Sequence, residues 1–154
     1  MTATTSSAEK TESTFRLTYA VATDIRADAA KIWALLTDAE RMSAWNSTVV
    51  SVKGPIELGQ KLELRVKLAP ERVFKPTVTK LEPASSMEWS DGMAPMFRGV
   101  RSFTLTPRPD GRTEFAMREE FSGLMLPLIK GSLPDFTAAF ATYAADLKRA
   151  AEST

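Results

Sequence analysis

The sequence predicts an α+β fold in which a curved, seven-stranded antiparallel sheet wraps around a long C-terminal helix. Apolar and polar residues alternate along most of the chain between Phe15 and Phe121, which is the period of strands with one buried face. Beyond Gly123 the apolar residues instead recur at helical spacing, from Leu133 to Ala151. A helix that follows such a sheet buries its apolar stripe against the concave face of the sheet.

The first strand is predicted over residues 15–25 and is followed by two short helices. Asp28 is placed to cap the first helix, and Asp38 is placed to cap a second helix that reaches Trp45. Turn residues such as Gly54-Pro55 then separate the remaining strands. These six strands are predicted near residues 48–52, 62–68, 73–81, 87–90, 97–106 and 113–121.

The C-terminal helix is predicted to run for about five turns and to bury one apolar face. Ser132 is placed to cap its start, with Pro134 inside its first turn. The apolar stretch 123–131 precedes this helix, and we expect it to form the buried first turns, with a lid or a dimer contact as alternatives.

The chain of 154 residues is expected to form a single domain over residues 14–154. Residues 1–13 are rich in Ser and Thr and, after Met1, contain no apolar residue larger than Ala, so they are predicted to be a disordered tail. No linker, charge block or repeat interrupts the pattern from Phe15 to the C-terminus.

The composition excludes several classes of function. Lys and Arg total 20 against 19 Asp and Glu, a balance that does not favour a nucleic acid partner. The chain has neither Cys nor His, so it offers no thiolate nucleophile, no histidine base and no thiolate or imidazole metal ligand, and we predict no metal and no cofactor. No apolar run is long enough to span a bilayer, so we expect a cytoplasmic protein without integral membrane association.

The last hairpin carries the sharpest local prediction. Pro109-Asp110-Gly111 suits a three-residue loop with Gly in the left-handed conformation. This loop pairs Phe103 with Met117 and places Arg101 opposite Glu119 on the same inward face. A two-residue loop would pair Phe103 with a charged residue, so the longer loop is preferred.

A set of apolar, aromatic and glycine positions extends across residues 15–152. These positions are Trp33, Asp38, Trp45-Asn46, Gly54, Gly59, Phe74, Pro76, Val78, Trp89, Phe97-Arg98-Gly99, Phe103, Glu119, Gly123, Leu147-Lys148 and Glu152. Together they resemble the helix-grip superfamily called SRPBCC or START-like, which includes birch-pollen-allergen-like proteins and a polyketide cyclase/dehydrase and lipid-transport branch. Two positions depart from it: Ser47 stands where Pro often follows Trp-Asn, and Arg101 stands where many relatives have His.

The resemblance implies a deep apolar cavity between the sheet and the last helix, holding a lipid, a polyketide or another hydrophobic molecule. Adaptable Met and aromatic residues at inward positions fit this expectation, although they would equally suit an ordinary packed core. We expect a cavity of a few hundred cubic ångströms. Its predicted ligand-binding residues are Trp45, Leu64, Val66, Phe74, Trp89, Met96, Phe97, Arg101, Phe103, Met117, Glu119, Phe121, Phe136 and Phe140.

Arg101 and Glu119 are the candidate catalytic residues, and they would form a polar pair inside this cavity. In a functional interpretation the pair binds a ligand carbonyl, hydroxyl or carboxylate, and in a structural one it is an ion pair of the wall. Arg98 is expected to face solvent. The loop 91–96 is interpreted as a connector, with the cavity rim as the alternative.

Three classes of function remain open from the sequence. The first is binding or transport of a hydrophobic small molecule, favoured by an apolar cavity with one polar end. The second is a cofactor-free enzyme of the polyketide cyclase/dehydratase kind, with Tyr19 or Tyr143 as a proton donor, favoured by several converging polar groups. The third is a protein-interaction module, favoured by a filled interior and an exposed apolar patch. The oligomeric state stays open, a dimer included.

Overall fold

The protein consists of eight β-strands arranged around a C-terminal helix in a computed structural model that describes residues 7–153. The strands are β1 (Ala8–Ser13), β2 (Arg16–Ile25), β3 (Val49–Lys53), β4 (Glu63–Val66), β5 (Thr77–Glu82), β6 (Ser86–Met93), β7 (Phe97–Pro107) and β8 (Thr113–Ser122). The helices are α1 (Ala29–Thr37), α2 (Met42–Trp45), α3 (Leu126–Ile129) and α4 (Thr137–Glu152), with a 3₁₀ turn at Lys130–Ser132.

The main sheet has six antiparallel strands in the order β1-β2-β8-β7-β6-β5, and β3 and β4 form a separate pair. Two isolated bridges, Lys61 to Thr77 and Leu64 to Phe74, join the β3–β4 pair to the region of β5. This confirms the α+β fold with a C-terminal helix. The predicted single sheet of seven strands differs in two ways: the N-terminal strand β1 adds an eighth strand, and β3 and β4 form a pair separate from the main sheet.

The N-terminal strand corrects the expectation of a disordered tail over residues 1–13. Ala8–Ser13 form β1, which pairs with β2 from Ala8 opposite Val21 to Ser13 opposite Arg16. Backbone hydrogen bonds hold an edge strand without requiring large apolar side chains. A search for alternating apolar and polar residues therefore does not detect such a strand. Residues 1–6 of the predicted tail lie outside the described residues.

The helix α4 begins later than predicted. Leu133 is extended, with φ −82° and ψ 137°, so the polypeptide bends away from the 3₁₀ turn before the helix starts. Ser132 therefore does not cap α4, and Asp135 instead accepts hydrogen bonds from the backbone N–H and hydroxyl of Thr137. The helix has 16 residues, about four and a half turns.

Residues 123–131 form α3 and its flanking turns, not the first turns of the last helix. Leu126 is buried, but Leu128 is 78% exposed, so much of this apolar stretch faces outward. The backbone of Gly123 donates to Phe15, and Leu124 and Met125 donate to the β6–β7 turn. This end of the molecule thereby collects a group of exposed apolar side chains, namely Phe15, Met93, Met96, Leu124 and Leu128.

The β7–β8 hairpin has the predicted register. Gly111 has φ +85°, and the N–H of Arg108 donates to the carbonyl of Arg112 to close the three-residue loop. Phe103 pairs with Met117 and Arg101 pairs with Glu119. The inward residues of both strands are consequently presented to α4, where Phe115 stacks on Tyr143 with ring centroids 6.1 Å apart.

A buried polar network ties α4 to the segment before β3. Asp146 is only 4% exposed and accepts hydrogen bonds from the backbone N–H of Ser47 at 2.8 Å and from its hydroxyl at 2.6 Å. Arg149 donates to the other oxygen of the same carboxylate. Proline at position 47 would have neither donor, so the departure from the superfamily pattern creates this link.

Replacing Gly123 by Ala should lower the free energy of unfolding by roughly 2–4 kcal/mol. Gly123 has φ +131°, and a Cβ there would overlap the carbonyl oxygen of Met96 and lie 2.8 Å from Cα of Phe97. Urea unfolding measures the difference. Gly131→Ala is the control, because a Cβ at Gly131 meets nothing within 4 Å, and an equal loss in both variants would contradict the explanation.

Replacing Asp146 by Asn should destabilise the protein by about 1–3 kcal/mol at neutral pH. Burial raises the pKa of the Asp146 carboxyl, but hydrogen bonds from Ser47 and the contact with Arg149 outweigh it and leave the pKa below its ordinary value. Such a group stabilises the fold above the unfolded-state pKa of about 4, and this contribution is lost as the pH falls through the lower folded-state pKa. The unfolding free energies of variant and wild type should therefore converge in acid; a difference independent of pH would refute the assignment.

Candidate ligand-binding site

A cavity of about 120 Å³ lies between the concave face of the sheet and the segment that leads into α4. We call it the sheet cavity. Its wall is mostly apolar and aromatic, with one arginine–glutamate pair inside. The lining residues are Leu64, Val66, Arg72, Phe74, Pro76, Trp89, Asp91, Phe97, Gly99, Arg101, Glu119, Phe121, Leu133 and Phe136.

A second depression, the helix groove, lies between the end of β4 and α4 and measures about 340 Å³. Val66, Arg101 and Phe136 line both spaces, so these three side chains separate them. The groove is completed by Ser47, Thr48, Lys67, Leu68, Ala138, Ala139, Phe140, Thr142 and Tyr143. The sheet cavity alone is smaller than the predicted few hundred cubic ångströms because these side chains divide the interior.

The Arg101–Glu119 pair occupies the wall between the two strands that carry it. Nε of Arg101 donates a hydrogen bond to Oε1 of Glu119 at 2.8 Å, and Nη2 lies 2.7 Å from the same oxygen as an ion-pair contact. The side chains are 12% and 14% exposed, so the pair is largely withdrawn from water. The guanidinium also lies over the ring of Phe140, with Cζ 5.1 Å from the ring centroid. Partners on β8 and α4 thus fix the arginine.

The titratable group nearest to this pair on α4 is the phenol of Tyr143. Burial raises the pKa of Tyr143 far above its ordinary value, and the positive charge of Arg101 offsets only part of this effect. The phenol stays protonated at neutral pH and can act as a hydrogen-bond donor at the wall of the helix groove. Tyr19, the other tyrosine considered from the sequence, is buried and lines neither space, but its ring packs against Phe121 and Phe136 of the sheet cavity wall.

The outer part of the sheet cavity carries two further charges, from Arg72 and Asp91. Cζ of Arg72 lies 6.0 Å from the ring centroid of Phe74. Asp91 accepts a hydrogen bond from the N–H of Gly92, and both residues lie near the end of β6. The loop predicted over residues 91–96 is therefore shorter than expected, because residues 91–93 belong to the strand, and Asp91 lines the cavity.

Most of the predicted ligand-binding residues lie on these walls. The sheet cavity receives Leu64, Val66, Phe74, Trp89, Phe97, Arg101, Glu119, Phe121 and Phe136, and the helix groove receives Phe140. Four predicted residues lie elsewhere: Phe103 and Met117 fill the core, Met96 is exposed, and Trp45 packs edge-on against Tyr143 with centroids 5.8 Å apart. Arg98 is exposed, as expected.

Several lining residues were missed by the sequence reasoning. Leu133 leads into α4, and the position of such a residue depends on where the helix begins. Arg72 and Pro76 belong to the connection between β4 and β5, because the strand that was predicted over residues 73–81 begins only at Thr77. Gly99 is the one of these residues that the sequence could have identified. It is an inward position of β7, and its partner Phe121 is among the predicted ligand-binding residues.

Within residues 7–153 there is no cluster of three or more Asp or Glu side chains placed to hold a metal ion. Over the same range, no helix combines the length and the apolar character needed to cross a membrane.

The sequence matches the family described as polyketide cyclase / dehydrase and lipid transport over residues 16–152. No curated protein sequence matches the chain. Among solved structures, a START superfamily protein from Mycobacterium smegmatis is similar, with a TM-score of 0.64 and 16% identity over 88% of this chain and 97% of that one.

Two further structures show the same likeness. A protein from Mesorhizobium loti has a TM-score of 0.62 and 21% identity, with 86% of this chain and 94% of that chain covered. A norcoclaurine synthase from Thalictrum, solved as a point mutant with a transition state analogue, has a TM-score of 0.66 and 11% identity, with 92% and 97% covered. At these identities the likeness shows the fold, which is that of the START superfamily protein, and the family match over residues 16–152 shows that the chain belongs to the polyketide cyclase / dehydrase and lipid transport family.

Proposed function

We propose that the protein binds a hydrophobic small molecule in the sheet cavity, with the polar end of the ligand at Arg101 and Glu119. The observation that carries this proposal is the apolar wall around a single withdrawn ion pair. Small-molecule sites commonly combine a mostly apolar lining with a few placed polar groups that fix orientation. A lipid or a polyketide has this combination of a large apolar body and a polar end.

The position of the pair supports a role beyond holding the sheet together. The hydrogen-bonded ladder between β7 and β8 already joins the two strands along their length. A withdrawn ion pair adds little net stability, because the cost of removing two charges from water offsets their attraction. The same two charges at the wall of a cavity can orient a ligand that enters it.

A cofactor-free enzyme of the cyclase or dehydratase kind is the second candidate function. The observation that favours it is the approach of a protonated phenol, Tyr143, to the Arg101–Glu119 pair. Glu119 would act as a base and Tyr143 as a proton donor on opposite sides of the arginine. The relative from Thalictrum is a synthase, and its likeness to this chain concerns the fold.

Replacing Val66 by Phe should weaken binding of the apolar probe 2-methylnaphthalene by about tenfold or more, because a larger side chain there would fill space between the two cavities. Titration calorimetry measures the affinity. Val50→Phe is the matched control, since Val50 lies on the neighbouring strand β3 with 43% of its surface exposed. Equal affinity of both variants and wild type would rule out the interior as the binding site.

Native mass spectrometry should find the same small molecule on freshly purified wild type and on Glu119→Gln if the protein is a binding protein. An enzyme would instead release its product, and the variant lacking the base would retain an unreacted substrate of different mass. Glu120→Gln serves as the control, because the neighbouring residue points to the opposite face of β8 and pairs there with Arg118. A mass difference specific to Glu119→Gln would favour the enzyme.

A further inference from the structure

The two oxygens of the Glu119 carboxylate have different surroundings. Oε1 accepts the hydrogen bond from Nε of Arg101 and also lies in ion-pair contact with Nη2. No described residue donates a hydrogen bond to Oε2, and this oxygen is not among the enclosed polar atoms that lack a partner. It therefore keeps its accepting capacity for a group inside the sheet cavity.

Gly99 leaves the space beside this free oxygen open. Gly99 lines the cavity on β7, and a Cβ added to it would lie 3.7 Å from Oε2 of Glu119. A glycine at this position keeps the carboxylate accessible from the cavity. A ligand atom that reaches Oε2 meets an acceptor, since an ionised carboxylate has no hydrogen to donate.

The positive charge of Arg101 is already paired with Glu119. Its Nε and Nη2 are directed to Glu119, and the face of its guanidinium lies on the Phe140 ring. Its positive charge is thus balanced inside the cavity, and the outer charges of Arg72 and Asp91 are also of opposite sign. A ligand carboxylate placed against Oε2 would be repelled by Glu119 in surroundings of low dielectric constant, and the cation beside that oxygen, Arg101, is already paired with Glu119.

From this asymmetry we infer that the ligand is a neutral, largely apolar molecule whose hydroxyl group donates a hydrogen bond to Oε2 of Glu119, and that the site discriminates against carboxylates. The inference rests on the proposed function and narrows it to alcohols and phenols. Free fatty acids and other anionic amphiphiles are accordingly not the preferred ligands.

Three probes of similar size test this inference by titration calorimetry at neutral pH: 2-naphthol, 2-methylnaphthalene and 2-naphthoate. A hydrogen bond to a charged acceptor should make 2-naphthol bind about tenfold more tightly than 2-methylnaphthalene. The ionised 2-naphthoate should bind most weakly of the three.

Glu119→Gln should reverse the order of the two polar probes. The variant loses the negative charge and leaves Arg101 without its anion, so 2-naphthoate should gain about tenfold or more in affinity while 2-naphthol loses its advantage over 2-methylnaphthalene. Glu120→Gln is the matched control and should leave all three affinities unchanged, because Glu120 lies on the outer face of β8.

A fallback variant covers the case in which Glu119→Gln fails to fold. Arg101→Leu together with Glu119→Leu removes both charges, a change that folded proteins often tolerate. This variant should still bind 2-methylnaphthalene and should show no preference for 2-naphthol.

The outcomes separate this inference from the proposed function. Wild-type binding of 2-naphthoate as tight as that of 2-naphthol would overturn the inference and leave the proposed function standing. A change in the order of the probes caused by Arg72→Gln and not by Glu119→Gln would also overturn the inference and leave the proposed function standing. The polar end of the ligand would then lie at the outside of the cavity. Failure of all three probes to bind the wild type would overturn both.

Discussion

The register of the β7–β8 hairpin determines what the interior of this protein contains. Side chains alternate between the two faces of a strand, so a slip of one residue would turn every inward group outward. The three-residue loop closed by Gly111 fixes the register that places Phe103 opposite Met117 and Arg101 opposite Glu119. The core, the packing of α4 and the polar pair in the sheet cavity therefore all depend on one short turn.

The sequence permitted this hairpin to be predicted in detail because apolar matching and turn chemistry agree there. Other parts gave weaker signals. β1 is held by its backbone pairing with β2, which no side-chain pattern reports. The start of α4 depends on the extended conformation of Leu133, a choice that competes with a plausible cap at Ser132.

The size of the cavity was predicted less well than the residues of its walls. Periodicity tells which residues face inward, but it does not tell which of them fill the core completely. Phe103 and Met117 pack to near-complete burial, whereas Phe97 and Phe121, on the same strands, stack at 5.9 Å and still line the cavity. The size of the space depends on side-chain conformations, such as that of Arg101 across the interior, which pairwise register does not specify.

Both departures from the superfamily pattern have partners in the structure. Ser47 donates two hydrogen bonds to Asp146 of α4, and Arg101 is fixed by Glu119 of β8. Both residues line the helix groove: Ser47 joins α4 to the segment before β3, and Arg101 extends from β7 of the main sheet. Function in a widely used fold resides in such local arrangements more than in the architecture itself.

The N-terminal strand has a consequence for contacts between molecules. Without β1, the edge of β2 would present free backbone groups beside an inward apolar series of Leu17, Tyr19 and Val21, and such an edge invites pairing with a strand of another chain. β1 occupies those backbone groups and presents mainly polar, exposed side chains, Lys10 and Glu12 among them. The polar composition that hides this strand from sequence analysis is also what suits it to end the sheet, because charged edges oppose further strand addition.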